Sequence, residues 1–414
     1  MLHRAFRYKL APTAAQEEQL QQFSGVVRLV YNLALEQRRD WWRHYSRATG
    51  RRLNYVAQAR ELTELRREFG WIGAVHVTPL QQAFRDLENA YANFFAGRAG
   101  YPSPRKRGVH DSFRYQGREI SVKRLNRKWS AVRVPKIGWV KYRDARPLRG
   151  RALNATLSLD PTGWNISFAN EIEHVAPDNS RPPIGIDRGV RCSLMLSSGE
   201  ALHIPNELRL LDRKKRKAQR AVSRRKRGSV RRAKALRRVA RIAGRAGRIR
   251  RDWQHRVTID LARRFGTVVL EELKIKNMTR SAAGSVDAPG KNVRSKAGLN
   301  RAILEQGWHS FETLLTYKLE ERGGHLCKVD PRYTSQTCSS CGAVDRESRK
   351  SQAAYDCTTC GHRAHADHNA AINILRRNTA SMLVEEGHWP SYEARTGGGL
   401  MASENPPALA GGRC

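Results

Sequence analysis

Cys338-x-x-Cys341 and Cys357-x-x-Cys360 constrain this chain more than any other feature, because fifteen residues separate the pairs. Four thiolates at that spacing can close a tetrahedron around one ion, and Gly342 and Gly361 stand directly after the pairs, where short knuckles need them. This is the pattern of a zinc ribbon. All four ligands would come from protein, so a Zn²⁺ held there has no open position for water or substrate and is structural. Two disulfides are the alternative. Four of the seven cysteines falling into C-x-x-C pairs suits a metal in a reducing cytosol better than a disulfide framework.

The second constraint is charge. Lys and Arg number 77 against 38 Asp and Glu, a net +39. Apolar residues at 40% and aromatics at 7% still allow folded cores, and 414 residues are enough for two to four domains. A surplus this large would repel itself in a free compact state, so a partner carrying many phosphates is expected. A membrane surface is the competing polyanion, but no stretch nears the roughly 18 consecutive apolar residues of a spanning helix, and the start has no apolar leader core. The expectation is a soluble protein, cytoplasmic and nucleoid-associated when bound to its polyanion, with neither a membrane nor a small-molecule substrate as partner.

Residues 3–10 alternate apolar and basic positions, which predicts a strand. Pro12 and Thr13 then open a helical region to about Phe95, in which Leu20, Phe23, Val27, Val30, Tyr31 and Leu35 recur at three- and four-residue spacing. Two prolines and a basic cluster in 100–108 mark a boundary. Short strand-like runs fill 111–181 and suggest a small antiparallel barrel completed by the N-terminal strand. IGID (184–187) and TVVLEE (267–272) read as strands, a basic helical stretch lies between them, and a helix is expected over 301–322 before a strand at 325–331. Residues 281–299, rich in Ser, Ala and Gly, read as a functional or disordered loop, a candidate lid. Past about residue 378 the pattern is lost and the tail is expected to be disordered.

Three carboxylates sit near the ends of strand-like runs: Asp187 in IGIDRG, Glu271 in VVLEEL and Asp367 in RAHADHNAAINIL. Apolar strands would otherwise avoid ending on an unpaired carboxylate. Cutting a phosphodiester with two metal ions needs such groups converging from different strands, and the sequence alone does not show that they converge.

The order IGIDRG, VVLEELKIKNM, TSQTCSSCG and YDCTTCGHRAHADHNAAINIL resembles the TnpB (OrfB) family, transposon-associated relatives of type V CRISPR effectors. FRYKLAPTAAQEEQL, VRLVYNLAL, LENAYANFF, YPSPRKRG and VPKIGWVKYR extend the likeness through the front half, and only the tail past about 378 is poorly covered. The resemblance implies an α/β multidomain fold: an RNase H-like RuvC nuclease domain (182–335 and 362–378) with an inserted zinc ribbon (336–361), and a wedge β-barrel (1–12 and 108–181) carrying a helical recognition domain (13–107). It implies an RNA-guided endonuclease in which Asp187, Glu271 and Asp367 hold Mg²⁺ or Mn²⁺, with a guide RNA and double-stranded target DNA flanked by a short motif as partners. Tyr55, Thr78 and Gln81 are by resemblance candidates for reading that motif. A compact CRISPR effector, a strand-transferring transposase and a catalytically silent RNA-guided regulator remain alternatives. The transposase order usually ends in Glu, and loss of a carboxylate would mark the regulator.

From Arg209 to Arg256 the chain has about twenty Lys or Arg and hardly any acid. Like charges at i,i+4 destabilise a helix, so without acidic partners the stretch is expected to face phosphates. Two helices broken near Gly228 are predicted, with Leu236, Val239, Ile242 and Ile249 as a buried stripe. Arg213, Lys214, Lys215, Arg216, Arg224, Arg225, Arg231 and Arg232, together with Arg105 and Lys106, are the candidate nucleic-acid contacts.

Overall fold

The computed structural model describes residues 1–51, 53–285 and 287–385. They form two compact units, residues 1–175 with 215–245, and 176–214 with 246 onward.

The first unit opens with β1 (Leu2–Ala11) and a helical run, α1 (Ala14–Trp41), α2 (Arg47–Thr49), α3 (Tyr55–Glu68), α4 (Gly70–Gly73) and α5 (Val77–Phe95). Thr13 starts α1 through a capping box: its Oγ1 accepts from the Gln16 amide and the Gln16 side chain accepts from the Thr13 amide. All six residues of the expected α1 stripe are buried. Strands β2 (Ser112–Gln116), β3 (Ser121–Arg124), β4 (Trp129–Val134), β5 (Gly138–Arg143), β6 (Arg151–Asp160) and β7 (Gly163–Ile172) join β1 in an antiparallel sheet of order β2-β6-β7-β1-β5-β4-β3. β1 is central because its first eight residues pair with β7 and its last two with β5. Both halves of the sheet contribute to one hydrophobic cluster with the helices, among them Tyr8, Phe113, Val132, Val140, Leu157 and Trp164. The N-terminal strand therefore completes a curled sheet, whose end strands β2 and β3 are not paired with each other among the described residues.

The second unit is built on β8 (Ile184–Asp187), β9 (Leu194–Leu196) and β10 (Ala201–Leu202). In chain order α6 (Glu207–Ser223) and α7 (Val230–Arg264) follow, broken by Gly228 in the left-handed region at φ +80°, and their residues 215–245 belong to the first unit. Then come β11 (Thr267–Glu271), α8 (Ile275–Met278), α9 (Val293–Gln306), α10 (Trp308–Glu320), β12 (His325–Val329), the hairpin β13 (Ala354–Asp356) and β14 (Arg363–His365), and α11 (Ala366–Glu385). The sheet order is β10-β9-β8-β11-β12, with β8, β11 and β12 parallel. Parallel strands are covered on both faces, which is why these runs read as almost continuously apolar. Ile184, Ile186, Val268 and Leu270 pack with Leu261 of α7 and Phe311 and Leu315 of α10, while Val269 and Val329 pack with Ile374 of α11.

Four expectations are corrected. Residues 293–299 belong to α9 rather than to a loop, and the helix expected over 301–322 is two helices separated at Gly307, φ +68°. α9 was hidden because it buries only Ile303 and Gln306, too little for an apolar stripe. In α7 the stripe is shifted: Leu236 is exposed and Ala235 is buried, with Val239, Ile242 and Ile249 half-buried. The tail pattern fails early, since α11 runs through Glu385; the rest of the expected disordered tail, 386–414, lies outside the described residues. No described helix is long and apolar enough to cross a membrane.

Gly185 sets how α11 meets the sheet. A Cβ there would lie 2.3 Å from the Ala371 carbonyl oxygen and 2.7 Å from the Leu375 amide nitrogen, both backbone atoms of α11. Gly185→Ala is expected to destabilise the protein by about 1–3 kcal/mol by forcing the helix off the strand. Gly298→Ala, in α9 with open space around it, should be neutral or stabilising by up to about 1 kcal/mol. Chemical denaturation of both variants checks this; equal stabilities would refute the close-packing argument.

Candidate active site

Side chains alternate along a strand, so the faces of β8 and β11 assign themselves. Ile184 and Ile186 point to the α7 and α10 side, which leaves Gly185 and Asp187 toward α11; Val268 and Leu270 likewise leave Val269 and Glu271 on the α11 side. The parallel register aligns Leu270 with Ile186, so the next pair along is Glu271 beside Asp187. Asp367 lies in the first turn of α11, the helix that covers this face. The three carboxylates predicted from sequence are thus brought together, with Glu271 and Asp367 buried. Glu272 points the other way and is exposed, its amide bonded to the Val329 carbonyl at 2.9 Å.

Their electrostatics reflect that crowding. The Asp187 carboxyl is pushed up to about 7, first by burial and then by the negative charges of Glu271 and Asp367. Glu271 is also raised by burial, with Thr334 and the positive charges of Arg188, Arg377 and Arg349 opposing the shift. Sequence reasoning missed the supporting residues. Thr334 Oγ1 donates to Glu271 Oε1 at 2.5 Å, and Arg349 Nη2 lies 3.3 Å from Asp367 Oδ1. Buried Arg188 donates to the Glu271 carbonyl oxygen and pairs with Glu312 at 3.4 Å. The Arg following the strand in IGIDRG was a visible signal; Thr334 and Arg349 carried none, because their role depends on contacts made across 63 and 18 residues.

Crowded hard-oxygen donors, with the charges of Glu271 and Asp367 adding to the rise at Asp187, are a fit for divalent cations such as Mg²⁺ or Mn²⁺, which would offset the repulsion. Their oxygens are spread more widely than the ligands of a single closed ion. Among the described residues, only the four cysteines gather their ligand atoms within 4.8 Å of one another. Cys338 Sγ lies 3.7 Å from Cys360 Sγ, and Cys341 Sγ 3.7 Å from Cys357 Sγ, far beyond the roughly 2.05 Å of a disulfide. Gly342 and Gly361 take φ +80° and +72°, and their amides close each knuckle on the Cys338 and Cys357 carbonyls. This cluster could hold a metal ion.

The candidate nucleic-acid contacts divide sharply. Thr78 is buried and its hydroxyl donates to Glu119 at 2.5 Å, so it is committed inside the first unit. Tyr55 is half-buried with the Arg85 guanidinium 5.5 Å from its ring centre, and Gln81 is half-buried. Arg105 pairs with Asp86 at 2.8 Å and lies 4.0 Å over Tyr31, whereas the Lys106 side chain is exposed. Arg213, Lys214, Arg216, Arg224, Arg225 and Arg231 are exposed, and Lys215 and Arg232 half-buried. Arg225 and Arg232 spend guanidinium hydrogens on the turn between α6 and α7: Arg232 donates to the Val222 and Arg225 carbonyls, and Arg225 to that of Arg231.

Three family models match parts of the chain. Residues 167–282 match the OrfB_IS605 family model, described as "Probable transposase", residues 308–374 the "Cas12f1-like, TNB domain", and residues 1–47 a "Helix-turn-helix domain" of OrfB_IS605. In the structure residues 1–41 are a strand followed by a single 28-residue helix. A protein of Escherichia coli (strain K12) named "Putative RNA-guided DNA endonuclease InsQ" is 38% identical over 92% of this chain and 94% of its own length. The chain belongs to the TnpB (OrfB) family. Another relative, a "Putative RNA-guided DNA endonuclease" of Streptomyces pristinaespiralis, is 33% identical over 99% of this chain and 98% of its own. The fold also matches a protein solved as a "Cas12f1-sgRNA-target DNA complex", with a TM-score of 0.55 at 15% identity over 87% of this chain and 83% of that one.

In the metal-free protein Asp187 holds its proton well above the unfolded value near 3.8. The folded state therefore binds more protons than the unfolded state between about pH 4 and 7, and stability should fall as pH rises through that window. Millimolar Mg²⁺ should reverse the loss at pH 7 and above, and Asp187→Asn should flatten the pH dependence. Thermal unfolding across pH 4–8 reads this, and a slope unchanged in Asp187→Asn would overturn it.

Proposed function

We propose that this protein is an RNA-guided DNA endonuclease that cleaves its target by metal-dependent phosphodiester hydrolysis at Asp187, Glu271 and Asp367. The observation that carries the reading is the convergence of three carboxylates, two of them buried, on one face of a parallel sheet in a chain of this family. Full-length likeness to proteins named as RNA-guided DNA endonucleases supports the guided activity. It also favours the transposon-associated form over a CRISPR effector, since the sequence likeness to Cas12f1 of Sulfoacidibacillus thermotolerans spans only 20% of that protein.

In this reading the second unit holds an RNase H-like RuvC domain, with the cysteine insertion as a structural zinc ribbon. The curled sheet and helices of the first unit are the wedge and recognition parts. Asp187, Glu271 and Asp367 would hold Mg²⁺ or Mn²⁺, which when bound supplies water activation and neutralises charge developing on the phosphate. The chain's own residues do the rest. Thr334 and Arg188 fix Glu271 from its side-chain and backbone ends, and burial excludes bulk water. Arg349 balances Asp367 until phosphate or metal competes for it.

Sequence choice has to come from guide pairing, because a +39 chain binds any nucleic acid. Protein contacts read only the flanking motif, with Tyr55 and Gln81 the better-placed candidates and Thr78 supporting them from within. Lys106 and the exposed basic residues of α6 and α7 would face the guide backbone.

Replacing the guide's targeting segment should redirect cleavage to matching DNA, while changing the flanking motif should stop it despite perfect pairing. Cutting that ignores the supplied guide would refute the reading. Alanine at Asp187, Glu271 or Asp367 should abolish cleavage and leave guide binding nearly unchanged, whereas Glu272→Ala should stay active; the reverse pattern at 271 and 272 would misplace the second carboxylate. About one zinc per chain is expected by elemental analysis, and active protein free of zinc would sink the ribbon. Arg224→Ala with Arg231→Ala should weaken guide binding and flatten its salt dependence. Arg232→Ala should instead lower stability, by about 1 kcal/mol, through its lost turn carbonyls.

A further inference from the structure

Thr334 is buried, and its hydroxyl lies 2.5 Å from Glu271 Oε1 and 3.0 Å from the Pro331 carbonyl oxygen. A hydroxyl has one hydrogen to give, and the carboxylate is the shorter and stronger acceptor. That bond selects Oε1 and leaves Oε2 uncommitted to the hydroxyl. The Thr334 backbone is itself clamped from α11. Asn373 Nδ2 donates to the Thr334 carbonyl at 3.0 Å and the Thr337 carbonyl at 2.6 Å. One turn earlier Asn369 donates to the Thr337 carbonyl and accepts from the Ser339 amide, both at 2.8 Å. Both asparagines are buried and lie four residues apart, on one face of the helix that carries Asp367. The clamped segment, 334–339, contains Cys338, a member of the cysteine cluster.

We infer that Thr334 is a positioning residue for Glu271, held by Asn369 and Asn373 so that the first cysteine knuckle and the carboxylate site move as one piece. This rests on the carboxylate reading above and adds to it. The knuckle does more than stabilise the fold, because it carries the residue that aims one carboxylate. Deleting the Thr334 hydroxyl would leave Glu271 free to rotate and its Oε1 buried without that donor, and loss of such a supporting hydrogen bond typically weakens metal affinity about 10–100-fold.

The test compares Thr334→Val, which keeps the shape and removes the hydroxyl, with Thr334→Ser, which keeps the hydroxyl. Mn²⁺ binding to the guide-bound complex is followed by electron paramagnetic resonance, and ions held by the RNA are subtracted using an Asp187→Ala, Asp367→Ala double variant. Zinc content and the Mg²⁺ concentration giving half-maximal cleavage are measured on the same samples. For Thr334→Val we expect Mn²⁺ affinity to drop at least about tenfold and the Mg²⁺ requirement to rise by a similar factor, with zinc unchanged. Thr334→Ser should stay within about threefold of the native protein. Mn²⁺ affinity in Thr334→Val within about twofold of native would overturn the inference while leaving the carboxylate reading intact. So would loss of zinc from Thr334→Val, which would make Thr334 a support of the cysteine cluster alone. If the double variant bound as much Mn²⁺ as the native complex, the carboxylate site itself would fail, and this inference with it.

Discussion

The contact between α11 and β8 at Gly185 is the constraint on which the rest of the second unit depends. A helix that comes close enough for a Cβ to meet its backbone at 2.3 Å brings its first turn to the end of that strand. Asp367 then reaches the charge field of Asp187, two residues along β8 from the glycine. The strand has no room to adjust. Ile184 and Ile186 fix its other face in the core with α7 and α10, so a one-residue slip would bury Asp187 among apolar side chains.

Such a site works against the stability of the metal-free fold. Burying carboxylates under a helix raises Asp187 and Glu271, and at Asp187 the charges of its two neighbours add to the rise, a cost tolerated where function requires it. The surrounding arginines temper it without neutralising it. Arg188 is spent on the Glu271 carbonyl and on Glu312, and Arg349 on Asp367. The residual negative potential makes a hard divalent cation the natural complement of the pocket.

The basic helices illustrate a different economy. Read as charge alone, the arginines of α6 and α7 are equivalent, yet Arg225 and Arg232 close the turn around Gly228 by donating to backbone carbonyls on either side of it. The turn thus places arginines of both kinds within a few residues: those that hold the chain and those whose charge faces outward, such as Arg224 and Arg231. A count of charges predicts a polyanionic partner, but only contacts divide the two roles.

What the sequence determined by itself was whatever is encoded locally. The strand ends at Asp187 and Glu271, the Thr13 cap, the break at Gly228 and the two cysteine knuckles all follow from periodicity, capping chemistry and spacing over a few residues. α9 escaped because a helix that buries two residues leaves no periodic trace, and the shifted stripe of α7 escaped because Ala235 and Leu236 are both apolar and only packing tells them apart. Tertiary structure alone decided that the carboxylates share a face, that Thr78 is turned inward onto Glu119, and that Thr334 and Arg349 reach Glu271 and Asp367. The physical reason is common to all three. Each depends on how elements far apart in the chain pack against one another, and side-chain contacts of that range leave no mark in the local pattern of residues.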